Sequence, residues 1–285
     1  MIKAFALFVV SLGAALAATY LVALRPLWRQ WGVDPTEATQ SLPGDDLVPE
    51  PRAVDTRGLT VAAPPSAVWP WLVQMGYGRA GWYSYDAIDM AGRSVTEIHP
   101  EWQSLAVDET VQTDPRGGFR VKVLEPERCL VLYYDTVLMR EQMAAAAAAD
   151  APAASPNVRA TGVALSSMTP PEFSISWAFV LQPTADGGTR LIERFRLSGE
   201  MTGPAGAVSG RALALGIFTM TRKQMLGIKE RAERVEREAR VLRPSGASTM
   251  PSPDADGPPA GEPELRVQVK VRDLPPKTNE AIASA

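Results

Sequence analysis

The chain has 285 residues and a formal net charge of -3, with a single histidine and a single cysteine. This slightly acidic balance provides no basic surface that would attract phosphate groups, which argues against nucleic acid as a partner. One cysteine cannot form an intramolecular disulfide. One histidine and one cysteine together supply fewer ligands than a structural zinc site usually takes from these residue types. We therefore predict no metal and no cofactor.

The first segment of the chain is predicted to be a membrane anchor, covering residues 1–31. Residues 4–24 carry no charge and are long enough to cross about 30 Å of hydrocarbon as a helix. Side chains typical of a membrane interface follow directly: Arg25, Trp28, Arg29 and Trp31. A cleavable signal peptide ending at residues 15–17 is the alternative, but it leaves residues 19–24 as an unexplained apolar remnant. Basic residues on both sides leave the orientation open.

The chain after the anchor divides into a linker and one folded domain. Residues 32–56 are rich in proline and acidic residues and lack periodicity, which is typical of an extended surface connector. Residues 57–242 begin with a short strand and a helix, and antiparallel strands follow, the last two joined by a tight turn at 185–188. A long amphipathic helix over about residues 206–241 closes the domain.

Two segments are predicted to lack regular structure. Residues 143–171 contain a run of six alanines and have no apolar face to bury, so we predict a low-complexity loop inserted in the domain rather than a helical turn or two. Residues 243–285 are crowded with proline and glycine and are predicted to form a disordered tail.

A dense aromatic block lies between residues 69 and 86. It holds six of the twenty aromatic residues: Trp69, Trp71, Tyr77, Trp82, Tyr83 and Tyr85. Large rings with polar tips, placed beside the flexible Gly76 and Gly78, are typical of one wall of an apolar pocket. Trp69 and Trp71 fall on the predicted helix, where at least one of them is expected to be structural.

The order of elements and two stretches of sequence point to a known family. Residues 61–86 and 99–111 resemble bacterial membrane-anchored members of the SRPBCC superfamily, which includes START lipid-transfer domains and polyketide cyclase-like proteins. The resemblance covers about residues 20–240 and implies an α+β helix-grip fold. In that fold a curved antiparallel sheet surrounds a long C-terminal helix, here preceded by one transmembrane helix. It further implies a deep apolar cavity for lipids, sterols or polyketides, and a location at the bacterial cell membrane.

Six residues are candidates for ligand contact: Arg79, Trp82, Tyr83, Tyr85, Asp86 and Trp177. The residues from Trp82 to Asp86 follow the glycine loop and are expected to face the cavity. Asp86 can orient a ligand hydroxyl or cap a helix that begins after it. Arg79 suits a carboxylate or phosphate headgroup, with a solvated loop arginine as the alternative. Trp177 either lines the cavity from the sheet or belongs to the core.

Catalysis in such a pocket would need an acid or base with a shifted pKa, and the candidates are His99 and Asp86. Neither belongs to a recognisable catalytic motif. We therefore predict a membrane-anchored binding protein for a hydrophobic small molecule or lipid, with no catalytic activity assigned. Two alternatives stay open: an enzyme of the polyketide cyclase, aromatase or dehydratase type, and an interaction module that binds partners through its linker or tail.

Overall fold

A computed structural model gives the fold, and it describes residues 28–89, 92–149, 172–199 and 203–242, with side chains of the last range from residue 210 onward. Residues 1–27 of the predicted anchor and the predicted tail at 243–285 lie outside the described residues, whereas residues 28–31 of the predicted anchor are described. Within the described ranges, no helix combines the length and the apolar content needed to cross a membrane.

Across the described ranges, six antiparallel strands form the sheet: β1 (Ala53–Val61), β2 (Thr110–Asp114), β3 (Gly117–Glu125), β4 (Cys129–Asp135), β5 (Ser174–Pro183) and β6 (Thr189–Leu197). Their spatial order is β1-β6-β5-β4-β3-β2, so the first strand pairs with the last. β5 and β6 form the predicted hairpin. Gly187 in its turn has a φ of 79°, a conformation that glycine adopts readily, which confirms the predicted turn chemistry.

The helical elements of the described chain are α1 (Pro35–Thr39), α2 (Pro65–Val73), a 3-10 turn (Pro100–Trp102), α3 (Thr136–Ala148) and α4 (Gly203–Leu242). α4 packs against α2 and β1 and buries Met225, Ile228 and Ala232 completely. These residues belong to the apolar stripe that the spacing of four and three predicts. The α+β fold class, with a curved antiparallel sheet and a long closing helix, is confirmed.

Residues 28–52 are here called the N-terminal strap. Trp28 and Trp31 lie beside β1 on the side of α4, and residues 37–48 pack on the outer face of the sheet, which is turned away from α4. Three arginines alternate along β6 and therefore project from this face: Arg190, Arg194 and Arg196. Arg194 donates a hydrogen bond to the carbonyl oxygen of Gln40 and lies 2.8 Å from the carboxylate of Asp45. The strap is thus held by arginine bonds to its own backbone and acidic side chains.

This segment is not the extended connector predicted for residues 32–56. The Asp34 carboxylate caps α1, because it accepts hydrogen bonds from the backbone nitrogens of Thr36 and Glu37 at 2.7 and 2.9 Å. Glu37 also pairs with Arg190 at 2.7 Å, and this contact lowers the pKa of the Glu37 carboxyl. Hydrogen bonds from arginines to carbonyl oxygens hold this segment, and they require no apolar pattern in its sequence. A prediction based on apolar periodicity therefore does not detect that the segment is packed on the sheet.

Helix α3 continues into the alanine run that we predicted as part of a loop at residues 143–171. The Asp135 carboxylate caps its first turn, and the Gln142 amide exchanges hydrogen bonds with the backbone of Gly118 at 2.9 and 3.0 Å. Because alanine has the highest helix propensity, a helix fixed in this way continues through the run. The loop prediction is wrong for this first part, and residues from 150 onward lie outside the described chain.

The lone cysteine lies beneath the strap in a small apolar cluster on the outer face. Cys129 shares this cluster with Leu42 of the strap and with Val180 and Ile192 of the sheet. Burial raises the pKa of the Cys129 thiol, and the thiolate is the reactive form. The thiol is therefore protected both by its cover and by its protonation.

Loosening the strap is expected to expose this thiol. We expect Leu42→Ala to speed the modification of Cys129 by a disulfide reagent at least about tenfold, because loss of a buried leucine eases local opening by more than about 1.4 kcal/mol. The exposed Leu215→Ala serves as the control and should react at the parent rate. Equal rates in all three proteins would show that the strap does not cover Cys129.

Candidate functional site

The face of the sheet that packs against α4 is closed at one end and open at the other. Residues two apart on a strand share a face, so residues paired across β4, β5 and β6 form successive rows on it. Three neighbours near the closed end are fully buried: Arg57, Phe179 and Glu193. Three at the opposite end are partly exposed, and we call them the open row: Tyr134, Ile175 and Leu197.

A groove of about 420 Å³ lies at the same end of the sheet as the open row. Its lining includes Phe173, Ser174 and Ser198 and three charged residues: Asp135, Arg140 and Glu172. Ser174 and Ser198 are chain neighbours of Ile175 and Leu197, so they project from the opposite, outer face. The ring centroid of Phe173 lies 5.9 Å from that of Tyr134, so this ring connects the polar groove to the open row. The volume of the groove falls in the range of small-molecule sites.

Trp177 lies one row deeper, between the open row and the closed end. Its ring centroid is 5.4 Å from Phe119, 5.0 Å from Phe179 and 6.3 Å from Phe195. Only 8% of its surface is exposed. Trp177 is therefore both a core residue and the inner wall behind the open row, so the two readings of the sequence do not exclude each other.

Trp82 reaches Trp177 from the glycine loop. The two rings stack with centroids 5.7 Å apart and an angle of 25° between planes. A bridge between Gly76 and Gly81 closes the loop before Trp82, and Gly81 has a φ of 76° with Ser94 against it. The structure thus brings together two candidates that are distant in sequence.

Tyr83 points to the helices instead of joining the stacked tryptophans. Its ring meets Trp71 of α2 edge-on at 5.8 Å, and the Arg231 guanidinium lies 4.8 Å from the ring centroid. The backbone φ of 56° is unusual for a bulky residue. Burial raises the pKa of Tyr83, while the Gln74 side chain and the Arg231 charge act in the opposite direction. The phenol is thus neutral at physiological pH.

Tyr85 and Asp86 are exposed, so they do not contribute to the wall formed by Trp82. The described residues that follow Asp86, at positions 87–89, form a turn, so Asp86 caps no helix there, contrary to the prediction. Asp86 instead accepts hydrogen bonds from the backbone nitrogen of Ser94 at 3.1 Å and from its hydroxyl at 2.8 Å. The Ser94 hydroxyl in turn accepts a bond from the Tyr83 nitrogen at 3.0 Å. Asp86 therefore fastens the loop that carries Ser94.

Arg79 is engaged within its own loop region. Its guanidinium donates a hydrogen bond to the carbonyl oxygen of Trp102. Burial lowers the pKa of Arg79, and the charge of Glu109 raises it. The guanidinium is half-buried and bonded to the backbone, which differs from the solvated loop arginine considered as the alternative.

His99 lies in the same region and lines a second depression of about 320 Å³ together with other residues of the range 93–99. Its Nδ1 is 3.2 Å from a carboxylate oxygen of Glu101, and its ring centroid is 4.4 Å from that of Trp102. The backbone nitrogen donates to Gln74. These contacts fix His99 at the end of α2, and the structure does not unite it with Asp86 in one catalytic arrangement.

A buried ionic network lies behind Trp177. The Trp177 indole nitrogen donates to one oxygen of Glu193 at 2.7 Å, and the other oxygen accepts from Arg57 at 3.3 Å. Arg57 also pairs with Asp55 at 2.9 Å. Burial raises the pKa of Glu193, and the Arg57 charge and the Trp177 bond act in the opposite direction. Among the described residues, no cluster of histidine, cysteine and carboxylate side chains is arranged to hold a metal ion.

Arg57 connects this network to the rest of the domain. Its guanidinium donates to the Thr221 hydroxyl on α4 at 3.1 Å and to the carbonyl oxygen of Trp28 in the strap at 3.0 Å. It also lies 5.6 Å from the ring centroid of Phe218. One side chain therefore joins the strap, the sheet and the closing helix.

Comparison with known proteins found no matching family model and no matching curated protein. Similar solved structures include hypothetical protein jhp0584 of Helicobacter pylori, 12% identical with a TM-score of 0.37 over 70% of this chain and 99% of that one. Protein MLL2253 of Mesorhizobium loti is 14% identical with a TM-score of 0.31, over 64% and 98%. A Polyketide_cyc-like protein of Corynebacterium glutamicum is 15% identical with a TM-score of 0.24, over 69% and 97%.

A six-stranded antiparallel sheet with a long C-terminal helix is the helix-grip arrangement that the sequence resemblance implied. In this chain the deep end of the space between sheet and helix is filled by Phe179, Glu193 and Arg57, and the open row is its partly exposed end.

Arg57, Asp55 and Glu193 were not among the residues predicted from the sequence. Asp55 and Arg57 stand two apart and share a face of β1, but Asp55 fell in the predicted linker and the predicted strand began only at residue 57. Glu193 lies opposite Arg57 on the neighbouring strand β6. A charged residue at an inward position of the apolar β6 was the local signal of a buried ion pair.

Proposed function

We propose that this chain is a membrane-anchored binding protein for a hydrophobic small molecule or lipid, and that the ligand lies against the open row. The observation that carries the proposal is the partial exposure of Tyr134, Ile175 and Leu197 on an inward face whose closed end is fully buried. Apolar side chains left partly open favour an apolar ligand, and a groove of about 420 Å³ lies at the same end of the sheet.

Binding without chemistry is favoured by the state of the ionisable groups. Glu193 is the carboxylate bonded to Trp177, and Arg57 and the indole occupy both of its oxygens. His99 and Asp86 are held in other contacts, and Asp86 is exposed. A general base must present a lone pair to its substrate, so this arrangement supports a site that holds a ligand.

The membrane part of the proposal rests on the uncharged residues 4–24 and on how the domain begins. Trp28 and Trp31 are bonded to the domain, through Arg57 and through the Arg222 guanidinium 5.1 Å from the Trp31 ring. A binding site tethered to a bilayer meets lipid-like ligands at a high effective concentration, so a modest affinity is sufficient.

Two tyrosines provide a matched test. Tyr134 belongs to the open row, whereas Tyr77 lies between Gly76 and Gly78 and lines neither the open row nor the groove. We expect Tyr134→Ala to reduce the apolar ligand retained per mole of purified chain about tenfold, the equivalent of about 1.4 kcal/mol for one lost ring contact. Tyr77→Ala should retain the parent amount. Solvent extraction followed by mass spectrometry measures the retained molecules.

Three outcomes would contradict the proposal. The first is a parent chain that carries no apolar molecule above a matched blank. The second is an equal loss of ligand in both tyrosine variants. The third is turnover of a ligand that disappears in His99→Ala with folding intact. The last outcome would favour the enzyme. Partner capture that depends on residues 243–285 and is indifferent to Tyr134→Ala would favour the interaction module.

A further inference from the structure

Helix α4 consists of two halves that differ in charge. Residues 203–221 contain one charged residue, Arg211, and we call them the apolar half. Residues 222–242 contain eleven charged residues. The buried stripe of α4 is concentrated in the charged half, at Met225, Ile228 and Ala232. The apolar half, as far as its side chains are described, therefore buries fewer residues against the domain than the charged half, although its sequence is more apolar.

The apolar half leaves hydrophobic surface uncovered in the described structure. Leu215 is 47% exposed, Ala212 and Gly216 are exposed, and Ile217 and Phe218 are only partly buried. A helix that is apolar on its outer side normally has a partner there, such as a protein surface or a lipid bilayer.

The predicted anchor ends close to this half of α4. The Trp28 carbonyl oxygen and the Thr221 hydroxyl both accept bonds from Arg57, and Trp31 lies under Arg222, so the strap begins beside the charge boundary of the helix. Four peptide units separate residue 24 from Trp28 and can span at most about 14 Å. If residues 4–24 cross a bilayer, the boundary of α4 therefore lies close to its surface.

The apolar half also lies toward the open end of the sheet. Three hydrogen bonds fix the direction of α4 along β1: Arg57 with Thr221, Thr60 with Lys229, and Ala62 with Glu233. The two elements therefore run in the same direction, and the start of β1 lies beside the apolar half of α4. Ala53 at that start pairs with Leu197 of the open row.

We propose that the apolar half of α4 is a second membrane contact, which lies in the interfacial region of the bilayer beside the anchor and directs the open row toward the lipid. This inference rests on the proposed membrane anchoring. An interfacial helix buries its apolar face about 5–10 Å into the headgroup and acyl boundary, and tryptophan and arginine are common at that level. Trp28, Trp31 and Arg222 supply these residue types at the charge boundary.

The test uses the full chain in phosphatidylcholine vesicles that contain phosphatidylglycerol. In a Cys129→Ala parent, Leu215→Cys carries a polarity-sensitive nitrobenzoxadiazole dye, and Glu238→Cys on the exposed charged half is the matched control. We expect doxyl-labelled lipid to remove most of the dye fluorescence at position 215 and little at 238. Iodide in the aqueous phase should give the opposite pattern.

Flotation of the vesicles separates the two proposals. If the chain floats with the vesicles but iodide quenches both dyes equally, the anchor holds and the second contact is overturned. Protection of position 215 from both quenchers also overturns it, because protein, such as a second copy of the chain, then covers this face. A chain that fails to float refutes the anchor, and this inference fails with it.

Discussion

Replacing Arg57 by alanine is expected to lower the free energy of unfolding by about 3–5 kcal/mol, because the change leaves the fully buried Glu193 carboxylate without its cation. Arg57 is fully buried and pairs with Asp55 at 2.9 Å and with Glu193 at 3.3 Å. It also holds the strap through Trp28. Urea unfolding followed by tryptophan fluorescence measures the loss, and Trp177 reports directly on the network.

The loss should depend on pH in a defined direction. Without Arg57, burial holds the folded-state pKa of Glu193 above its unfolded value, so the folded protein binds a proton more readily than the unfolded chain. The variant should therefore recover part of its stability relative to the parent as the pH is lowered from neutral toward the ordinary glutamate pKa of 4.5. Arg237→Ala, which removes an exposed arginine, should change stability by less than about 0.5 kcal/mol. An Arg57→Ala loss no larger than this control would contradict the assigned network.

The same substitution at two glycines of α4 is expected to have opposite effects. A methyl group at Gly227 would clash with the carbonyl oxygen of Tyr83 and lie 3.0 Å from its Cβ. Gly216 has nothing within 4 Å of such a methyl group. We expect Gly227→Ala to destabilise the fold by about 1–3 kcal/mol and Gly216→Ala to stabilise it by about 0.5–1 kcal/mol.

The conformation of Tyr83 prevents its carbonyl group from moving away from a methyl group at position 227 without a large loss of stability. Its φ of 56° and its burial against Trp71 restrict the movement of its carbonyl group. Displacing Tyr83 should also shift Trp82, so a change in near-ultraviolet circular dichroism is expected only in Gly227→Ala. Thermal unfolding of both variants provides the comparison, and stabilisation by both substitutions would show that the loop does not press on α4.

The parts of the fold predicted from sequence are those that apolar periodicity and turn chemistry define. The stripe at Met225, Ile228 and Ala232 and the turn at Gly187 follow from local pattern, and the structure contains both. The strap was missed because arginines of β6 hold it, and those arginines are distant in sequence from their partners. The alanine run was missed because its helix depends on a cap and on one glutamine bond, at Asp135 and Gln142.

The candidate site was predicted only in part, for a related reason. Trp82 and Trp177 were singled out as rings, and the structure stacks them, but their pairing depends on the fold as a whole. Tyr85 and Asp86 follow Trp82 closely in sequence, yet they are exposed. The direction in which side chains of an irregular loop point depends on contacts such as the one between Asp86 and Ser94. No local sequence pattern specifies such contacts.

The pairing of the first strand with the last has a consequence for the order of folding during synthesis. Arg57 and Glu193 are separated by 136 positions, so β1 has no partner when it leaves the ribosome. At about 5–20 residues per second, the intervening chain takes on the order of 10 s to appear. During that interval the strap lacks the arginines of β6 that hold it. The domain can therefore close only after β6 has been synthesised, although β1 and the strap are made first.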